Sequence, residues 1–350
     1  MKTVIVPFFM PHRGCPHACV FCNQQAFTGQ EEGVPGPELI RETIAAYHRS
    51  ASVAQVEVAF YGGTFTAIPP EEQRQVLMPL QPFLKSGQVS SIRVSTRPDA
   101  LTPAAVALLT ELRVSIVELG AQSMEDRVLQ LAGRGHTAAD TVHATALLQE
   151  AGMQVGVQLM PGLPGGTPEE AVASLERALA LGPAFLRIYP TVVVAGTRLA
   201  ELYAAGAYRP WDLDTAVTCS ARMLQRAARA GVPVIRVGVQ PTDDLADSGA
   251  VLAGPFHPAL RQLAESERWY GLLLRSCRNL APGTEVVLAC APPRLSDLIG
   301  HCRRNLVRLA DERHIRVTAA QGDPALGATV LRLVTGGEVV QADLLWDLDW

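Results

Sequence analysis

Three cysteines near the N-terminus have the spacing of ligands to one metal centre. Cys15, Cys19 and Cys22 lie within eight residues, in the order Cys-x3-Cys-x2-Cys. Three thiolates this close together can hold three corners of a four-iron cluster and leave the fourth iron open to another ligand. The loop therefore predicts a [4Fe–4S] cluster, bound by these three residues, with one iron available for chemistry.

Two other kinds of site use cysteines at short spacing. One is a closed zinc site with His12 or His17 as the fourth ligand, and the other is a disulfide framework. Four further cysteines are scattered along the chain, at Cys219, Cys277, Cys290 and Cys302. That distribution is typical of a reducing compartment and favours core positions for the scattered four.

Apolar, β-branched segments alternate with helical patterns up to about residue 240, which is the rhythm of βα units on a parallel sheet. The predicted strands are 3–9, 55–61, 91–96, 114–120, 154–160, 185–194 and 233–239. The predicted helices are 37–50, 70–86, 102–112, 124–132, 138–151, 168–181 and 213–231, with a further one at 295–311. Thr167, followed by proline and two glutamates, is a capping signal that sets the start of the helix at 168.

Five successive strands end in glycine-rich or polar motifs. They are the cysteine loop, Tyr-Gly-Gly-Thr-Phe-Thr at 61–66, Ser-Thr-Arg-Pro-Asp at 95–99, Gly-Ala-Gln-Ser at 120–123 and Pro-Gly-Leu-Pro-Gly-Gly at 161–166. The carboxyl ends of parallel strands meet at one edge of a sheet or barrel, and ligands bind there. The motifs therefore predict a ligand site beside the cysteines.

The cysteine spacing, with Phe21 before the last cysteine, resembles the signature of the radical S-adenosylmethionine (radical SAM) superfamily. The resemblance implies an α/β fold, a partial (β/α)6 TIM-type barrel. It also implies that S-adenosylmethionine chelates the fourth iron and that one electron cleaves its C5'–S bond. The resulting 5'-deoxyadenosyl radical abstracts hydrogen from a substrate, and the electron comes from an external donor of the flavodoxin or ferredoxin type.

The motif wording is most similar to the Elongator-catalytic-subunit-like and oxygen-independent coproporphyrinogen-oxidase-like branches of that family. It rests on Val-Glu-Leu-Gly-Ala-Gln-Ser at 117–123 and Gly-Arg-Gly-His-Thr at 133–137. An RNA nucleoside is the first substrate expected from this resemblance, and a small metabolite or tetrapyrrole the second. The alternative is a non-catalytic, cluster-bearing haem-trafficking protein of the same fold.

The resemblance implies contacts to the methionyl end of the cofactor. Backbone groups of Gly62, Gly63 and Thr64 take the amine, with Ser95 standing near it, and Arg134 pairs the carboxylate. Glycine permits close backbone approach, and a planar guanidinium suits a carboxylate. The alternatives are a plain turn at 62–64 and a surface arginine at 134.

The resemblance also implies contacts to the adenosine end of the cofactor. By resemblance, Gln122 and Gln158 reach the ribose hydroxyls, and the loop at Gly162 and Leu163 reads the adenine edge. On the substrate side, Arg187 and Tyr189 share one face of a strand by period-two alternation. Arg236 on the next strand has no assigned role. His257, in a loop, is a candidate proton donor to the substrate, and a packing role is the alternative.

The chain has 350 residues, 48% of them hydrophobic and 18% charged, with a formal net charge of -4. This composition predicts a globular cytoplasmic protein without a membrane segment and does not favour a strongly nucleic-acid-binding surface. We expect two domains, residues 1–275 for the barrel and 276–350 for a small α+β appendage. Arginines 303, 304 and 308 of the appendage either contact phosphates or form a solvated helix face. No acetyltransferase domain is expected.

Overall fold

The computed structural model describes residues 3–16, 18–24, 33–50, 55–239 and 249–348. His17, a zinc-ligand alternative, lies outside the described residues. The chain forms two compact units, Met1–Trp211 with Val239–Phe256, and Asp212–Gly238 with His257–Trp350. The expected functional division into 1–275 and 276–350 stays a prediction.

Six parallel strands run side by side in the first unit, in the order of the chain. They are β1 Thr3–Phe9, β2 Gln55–Tyr61, β3 Ser91–Thr96, β4 Ile116–Gln122, β5 Gln154–Leu159 and β6 Phe185–Ile188. The α-helices of this unit are Pro37–Ser50, Pro70–Leu77, Gln81–Ser86, Pro103–Glu111, Asp126–Leu131, Ala138–Glu150, Pro168–Leu179 and Arg198–Ala204. Val193–Val194 and Val251–Ala253 form a short antiparallel pair. All six carboxyl ends therefore lie along one edge.

The sheet of the first unit is strongly curved. β2 and β6 are four strand positions apart, which is about 19 Å in a flat sheet. Nevertheless Nη2 of Arg187 in β6 lies 3.0 Å from the hydroxyl oxygen of Tyr61 in β2. The two side chains meet across the concave face, so the predicted partial barrel is confirmed.

The second unit combines helices with a separate sheet. Its helices are Leu213–Arg229, Leu260–Ser276, Leu295–Ile299 and Arg304–Arg313, and it contains the strand Val234–Val237. Its four-stranded sheet has the order Arg316–Gly322, Glu285–Cys290, Val330–Thr335, Glu338–Asp343. An apolar core around Trp269, Tyr270 and Leu273 joins helices and sheet. This confirms the expected α+β appendage sheet.

Two predicted helices are interrupted. The segment 70–86 is broken by a 3-10 turn at Met78–Leu80, where Pro79 cannot donate a backbone hydrogen bond. The segment 295–311 is divided at Gly300, whose φ is 79°. By contrast, the cap at Thr167 is confirmed, because its side chain accepts a bond from the backbone N–H of Glu170.

No helix in the described ranges has the length and apolar character needed to cross a lipid bilayer.

Candidate cofactor site

The cysteine loop is attached to the body of the first unit on both sides. The N–H of Val20 donates to the carbonyl of Ala132 at 3.0 Å, and the Val20 carbonyl accepts from Leu199 at 2.7 Å. Phe21 packs in an apolar cluster with Leu163. The aromatic residue of the cysteine motif therefore fixes the loop, and the predicted adenine-edge residue Leu163 is buried beneath it.

Gln24 closes the loop, a role that sequence reasoning missed. Its Oε1 accepts from the N–H of His12 at 2.6 Å and from the N–H of Gly63 at 2.9 Å. Its own N–H donates to Nε2 of His12 at 3.0 Å. Since Nε2 of His12 is already an acceptor in this clasp, the structure argues against His12 as a zinc ligand.

The Gly-Gly-Thr turn packs directly on the cysteine loop. Gly63 has φ 61°, and a Cβ there would lie 2.3 Å from the carbonyl oxygen of Arg13. Thr64 is fully buried, its N–H donates to the same carbonyl at 2.8 Å, and its hydroxyl lies 3.4 Å from the sulfur of Cys15. The turn thus holds the first cysteine, while its predicted contact with the methionyl amine stays a prediction.

Gly63→Ala is expected to displace the cysteine loop. The new methyl group would overlap backbone atoms and occupy a left-handed conformation, so stability should fall by about 2 kcal/mol or more. The bound iron per chain should fall with it. Chemical unfolding and iron analysis would measure both effects.

Gly87→Ala is the matched control, because Gly87 has φ 74° but nothing lies within 4 Å of the added Cβ. Alanine there would adopt the same strained backbone conformation without overlapping other atoms. The free energy of unfolding should therefore fall by about 1 kcal/mol, and the iron content should stay unchanged. Equal effects of the two substitutions would contradict the packing role of Gly63.

The three thiols lie in mutual electrostatic range. Burial raises the pKa of Cys22 to about 12, and charge on Cys19 and Cys15 contributes. Burial likewise raises the pKa of Cys15, with a further contribution from Cys19. In the described ranges no three His, Cys, Asp or Glu side chains are placed to hold a single metal ion. Cysteines of a four-iron cluster bind different irons, so this spacing is compatible with a cluster.

Arg134 is buried, only 6% exposed, and the surface alternative for it is wrong. Its Nη1 donates to the sulfur of Cys19 at 3.1 Å, and its Nη2 donates to the carbonyl of Gly120 at 2.6 Å. Arg97, paired with Asp99 at 2.9 Å, donates to the Arg134 carbonyl. The arginine is therefore held beside a cysteine of the predicted cluster.

Several buried polar atoms around this arginine have no hydrogen-bond partner among the described residues. They include Nε of Arg134, Oε1 of Gln122, Oγ of Ser95 and, on two residues next to Arg134, Nη1 of Arg97 and Nδ1 of His136. Gln122 also has φ 69°, a left-handed conformation rare for such a residue. Buried polar groups are nearly always satisfied, so these atoms indicate a polar ligand, and one with a carboxylate, hydroxyls and an amine would satisfy Arg134, Gln122 and Ser95. The residues fit S-adenosylmethionine.

His136, which follows Arg134 in the Gly-Arg-Gly-His motif, is neutral. Burial, with the nearby charge of Arg134, lowers the pKa of His136 to about 4. Its Nε2 lies 3.2 Å from the carbonyl of Ala121. A neutral ring that donates from Nε2 ties the motif to the end of β4.

Two predicted ribose and adenine contacts are already engaged within the protein. Nε2 of Gln158 donates to Glu118 at 2.6 Å. The carbonyl of Gly162 accepts from the hydroxyl of Tyr208 at 2.6 Å, and the Trp211 ring would lie 3.1 Å from a Cβ at Gly162. Their assignment to the cofactor stays a prediction. The signal for Glu118 was available, since a carboxylate inside an apolar strand needs a buried partner.

Two family models match most of the chain. The model of the Radical SAM superfamily matches residues 9–178, and that of the Radical_SAM C-terminal domain matches residues 183–269. Together they cover more than two thirds of the chain.

Individual curated proteins are similar to this chain in sequence. A tRNA uridine(34) acetyltransferase of Dehalococcoides mccartyi is 30% identical over 236 residues, covering 57% of this chain and 51% of that protein. Elongator complex protein 3 of Saccharomyces cerevisiae is 27% identical over 269 residues, covering 63% and 48%. The chain spans about half the length of these curated relatives.

A solved structure agrees on the fold. Archaeal Elp3 of Methanocaldococcus infernus superposes with a TM-score of 0.62 at 19% identity, covering 99% of this chain and 76% of that one. The chain belongs to the radical SAM superfamily, whose enzymes bind a [4Fe–4S] cluster and S-adenosylmethionine.

Proposed function

We propose that this protein reductively cleaves S-adenosylmethionine at a [4Fe–4S] cluster bound by Cys15, Cys19 and Cys22. When bound there, the reduced cluster would pass one electron to S-adenosylmethionine, so that the C5'–S bond breaks into methionine and a 5'-deoxyadenosyl radical able to abstract hydrogen from the substrate. The observation that carries the proposal is buried Arg134, whose Nη1 donates to the sulfur of Cys19 while its Nε, like Oε1 of Gln122 and Oγ of Ser95, has no partner in the described structure.

Each of these side chains has a task in the proposal. Arg134 pairs the methionyl carboxylate while Nη1 stays on the sulfur of Cys19. Gln122 accepts from a ribose hydroxyl, and Ser95 accepts from the amine. Thr64 and Gln24 keep the loop in place. These assignments use the chemistry of each group: guanidinium for carboxylate, amide oxygen for hydroxyl, hydroxyl oxygen for ammonium.

The proposed substrate is a uridine in RNA. The support is that the matched relatives are named for acetylation of tRNA uridine 34 and for the Elongator complex. The electron donor in the proposal is a small flavin or iron–sulfur protein. A tetrapyrrole is the second substrate to be tested.

The proposal does not depend on the arginines of the second unit. Arg304 pairs with Asp214 at 3.0 Å, and Arg308 pairs with Glu267 at 2.6 Å. Arg308 also lies over the ring of Tyr270 at 3.7 Å. A phosphate would have to displace these carboxylates, so RNA binding through arginines 303, 304 and 308 stays a prediction.

The test is substrate-dependent turnover. Anaerobically reconstituted protein is given dithionite, S-adenosylmethionine and a tRNA transcript with uridine at position 34, and 5'-deoxyadenosine is quantified. We expect a severalfold higher rate with this transcript than with one carrying cytidine at that position. A rate that no transcript alters would contradict the RNA proposal, and absence of 5'-deoxyadenosine altogether would contradict the enzymatic one.

Arg134→Lys is expected to weaken cofactor binding. Lysine keeps the charge but cannot donate to the Cys19 sulfur, the Gly120 carbonyl and a carboxylate together. The dissociation constant of S-adenosylmethionine should rise about 10- to 100-fold, or about 1–3 kcal/mol. Equilibrium titration of the reconstituted protein measures it, with iron content unchanged.

Arg127→Lys is the matched control for this substitution. Arg127 is exposed on the helix Asp126–Leu131 that precedes Arg134. Its replacement should leave the dissociation constant as it is. An unchanged constant in Arg134→Lys as well would remove Arg134 from the cofactor site.

A further inference from the structure

A buried polar network covers the concave face of the barrel sheet. Glu118 of β4 is fully buried and accepts from Arg93 of β3 at 2.5 Å, from Gln158 of β5 at 2.6 Å and from Arg187 of β6 at 3.0 Å. Arg93 also contacts Glu57 of β2 at 2.6 Å. Five neighbouring strands thus each contribute one side chain to a single network.

The charges of this network cancel. It contains two carboxylates, Glu57 and Glu118, and two guanidinium groups, Arg93 and Arg187. A ligand carboxylate in the barrel would have to take a guanidinium from a buried glutamate, which leaves that glutamate's charge uncompensated. The concave face therefore favours an uncharged ligand group.

The other buried arginines of this unit are also engaged. Arg97 pairs with Asp99 at 2.9 Å, and Arg134 donates to Cys19 and to the Gly120 carbonyl. Only the remaining Nε of Arg134 and Nη1 of Arg97 lack hydrogen-bond partners on these two side chains in the described structure. Both belong to the cofactor end of the site.

Tyr61 lies where this network meets the Gly-Gly-Thr turn. It is the last residue of β2, directly before Gly62, and its half-buried ring lies 6.0 Å from that of Phe9. Its hydroxyl oxygen accepts from Nη2 of Arg187 at 3.0 Å. The guanidinium only donates, so the phenol proton of Tyr61 is directed elsewhere, and among the described residues no hydrogen-bond acceptor takes it.

Tyr61 keeps this proton at neutral pH. Burial, together with the charge of Glu118, raises the pKa of Tyr61 to about 12. Arg187 is in turn fixed by its ion pair with Glu118 at 2.9 Å and lies over the Tyr61 ring at 5.4 Å. The hydroxyl is consequently a donor held in one place at the mouth of the barrel.

We propose that Tyr61 binds the substrate by donating its phenol proton to an uncharged acceptor, such as a carbonyl oxygen of a pyrimidine base. Arg187 and Glu118 are positioning residues. They hold the phenol in place, and their opposite charges leave the concave face of the sheet beneath it without net charge. The inference rests on the proposed function, because it assumes that a substrate enters this barrel beside the cofactor.

The test compares Tyr61→Phe with Tyr203→Phe. Tyr203 is 41% exposed on the helix Arg198–Ala204 and serves as the matched control. Both variants should retain bound iron and wild-type affinity for S-adenosylmethionine, which shows that the loop and the cofactor site are intact. The stimulation by the uridine-34 transcript, measured below saturating RNA, should be about tenfold weaker in Tyr61→Phe, while Tyr203→Phe keeps the wild-type stimulation.

Two further arms separate this inference from the proposed function. Arg187→Lys keeps the positive charge but loses the planar guanidinium that contacts both Tyr61 and Glu118. It should therefore reduce the stimulation by RNA, as Tyr61→Phe does. Coproporphyrinogen III, which carries four carboxylates, should not stimulate the wild-type protein.

If the uridine-34 transcript stimulates Tyr61→Phe as strongly as it stimulates the wild type, the inference is overturned and the proposed function stands. Stimulation by coproporphyrinogen III would overturn the uncharged substrate class. A wild-type protein that responds to neither probe would overturn the inference and the proposed RNA substrate together.

Discussion

Cys15→Ala, Cys19→Ala and Cys22→Ala should each abolish the iron–sulfur cluster and with it all 5'-deoxyadenosine formation. The motif supplies three thiolates for four irons, so two remaining cysteines leave half of the cluster without protein ligands. The loop itself stays attached through Val20 and Gln24. We therefore expect folded protein with almost no bound iron, measured by iron and sulfide analysis after anaerobic reconstitution.

Cys302→Ser is the control, since Cys302 is exposed in the second unit and far along the chain from the motif. It should bind about four irons per chain, as the wild type does. Cys277→Ala should also keep the cluster, although Cys277 is buried and its loss costs packing. Retention of a full cluster by any of the three motif variants would refute the assignment of that cysteine.

Glu118→Ala is expected to produce the largest loss of stability. The carboxylate accepts from three side chains and is fully buried. Its removal leaves Arg93 paired with Glu57 alone and leaves buried Arg187 without a carboxylate partner among the described residues. Breaking such a buried ion pair from one side typically costs about 3–5 kcal/mol. Urea unfolding followed by circular dichroism would measure the change, and Glu118→Gln, which keeps the shape, should lose less.

Glu111→Ala is the matched control for the carboxylate. Glu111 pairs with Arg74 at 2.5 Å, but both side chains are about half exposed. An exposed pair contributes little to stability, because water and salt screen it, so Glu111→Ala should unfold at nearly the wild-type urea concentration. A loss of similar size in the two variants would contradict the description of Glu118 as the centre of a buried network.

Much of the fold was predictable from pattern alone. The first three strands have the predicted bounds, because β-branched segments bounded by turn residues give an unambiguous signal. The helix breaks at Pro79 and Gly300 depend on local backbone conformation within otherwise helical periodicity. Periodicity over a long window averages such a break away.

The candidate site was predictable where a motif is contiguous and missed where it is assembled from distant strands. The cysteines and Arg134 were found from short motifs, and the structure places them together. The Gln24 clasp and the network around Glu118 join residues 12 to 126 positions apart in the chain. The alternation of strand residues gives the face but not the curvature that brings β2 to β6.

In the function proposed for this protein, the cluster has one open iron that binds S-adenosylmethionine. The most direct test is electron paramagnetic resonance of the dithionite-reduced, reconstituted protein with and without the cofactor. A [4Fe–4S] signal whose g values shift when S-adenosylmethionine is added is the predicted result. An identical spectrum in both samples, or stoichiometric zinc in place of iron after reconstitution, would contradict it.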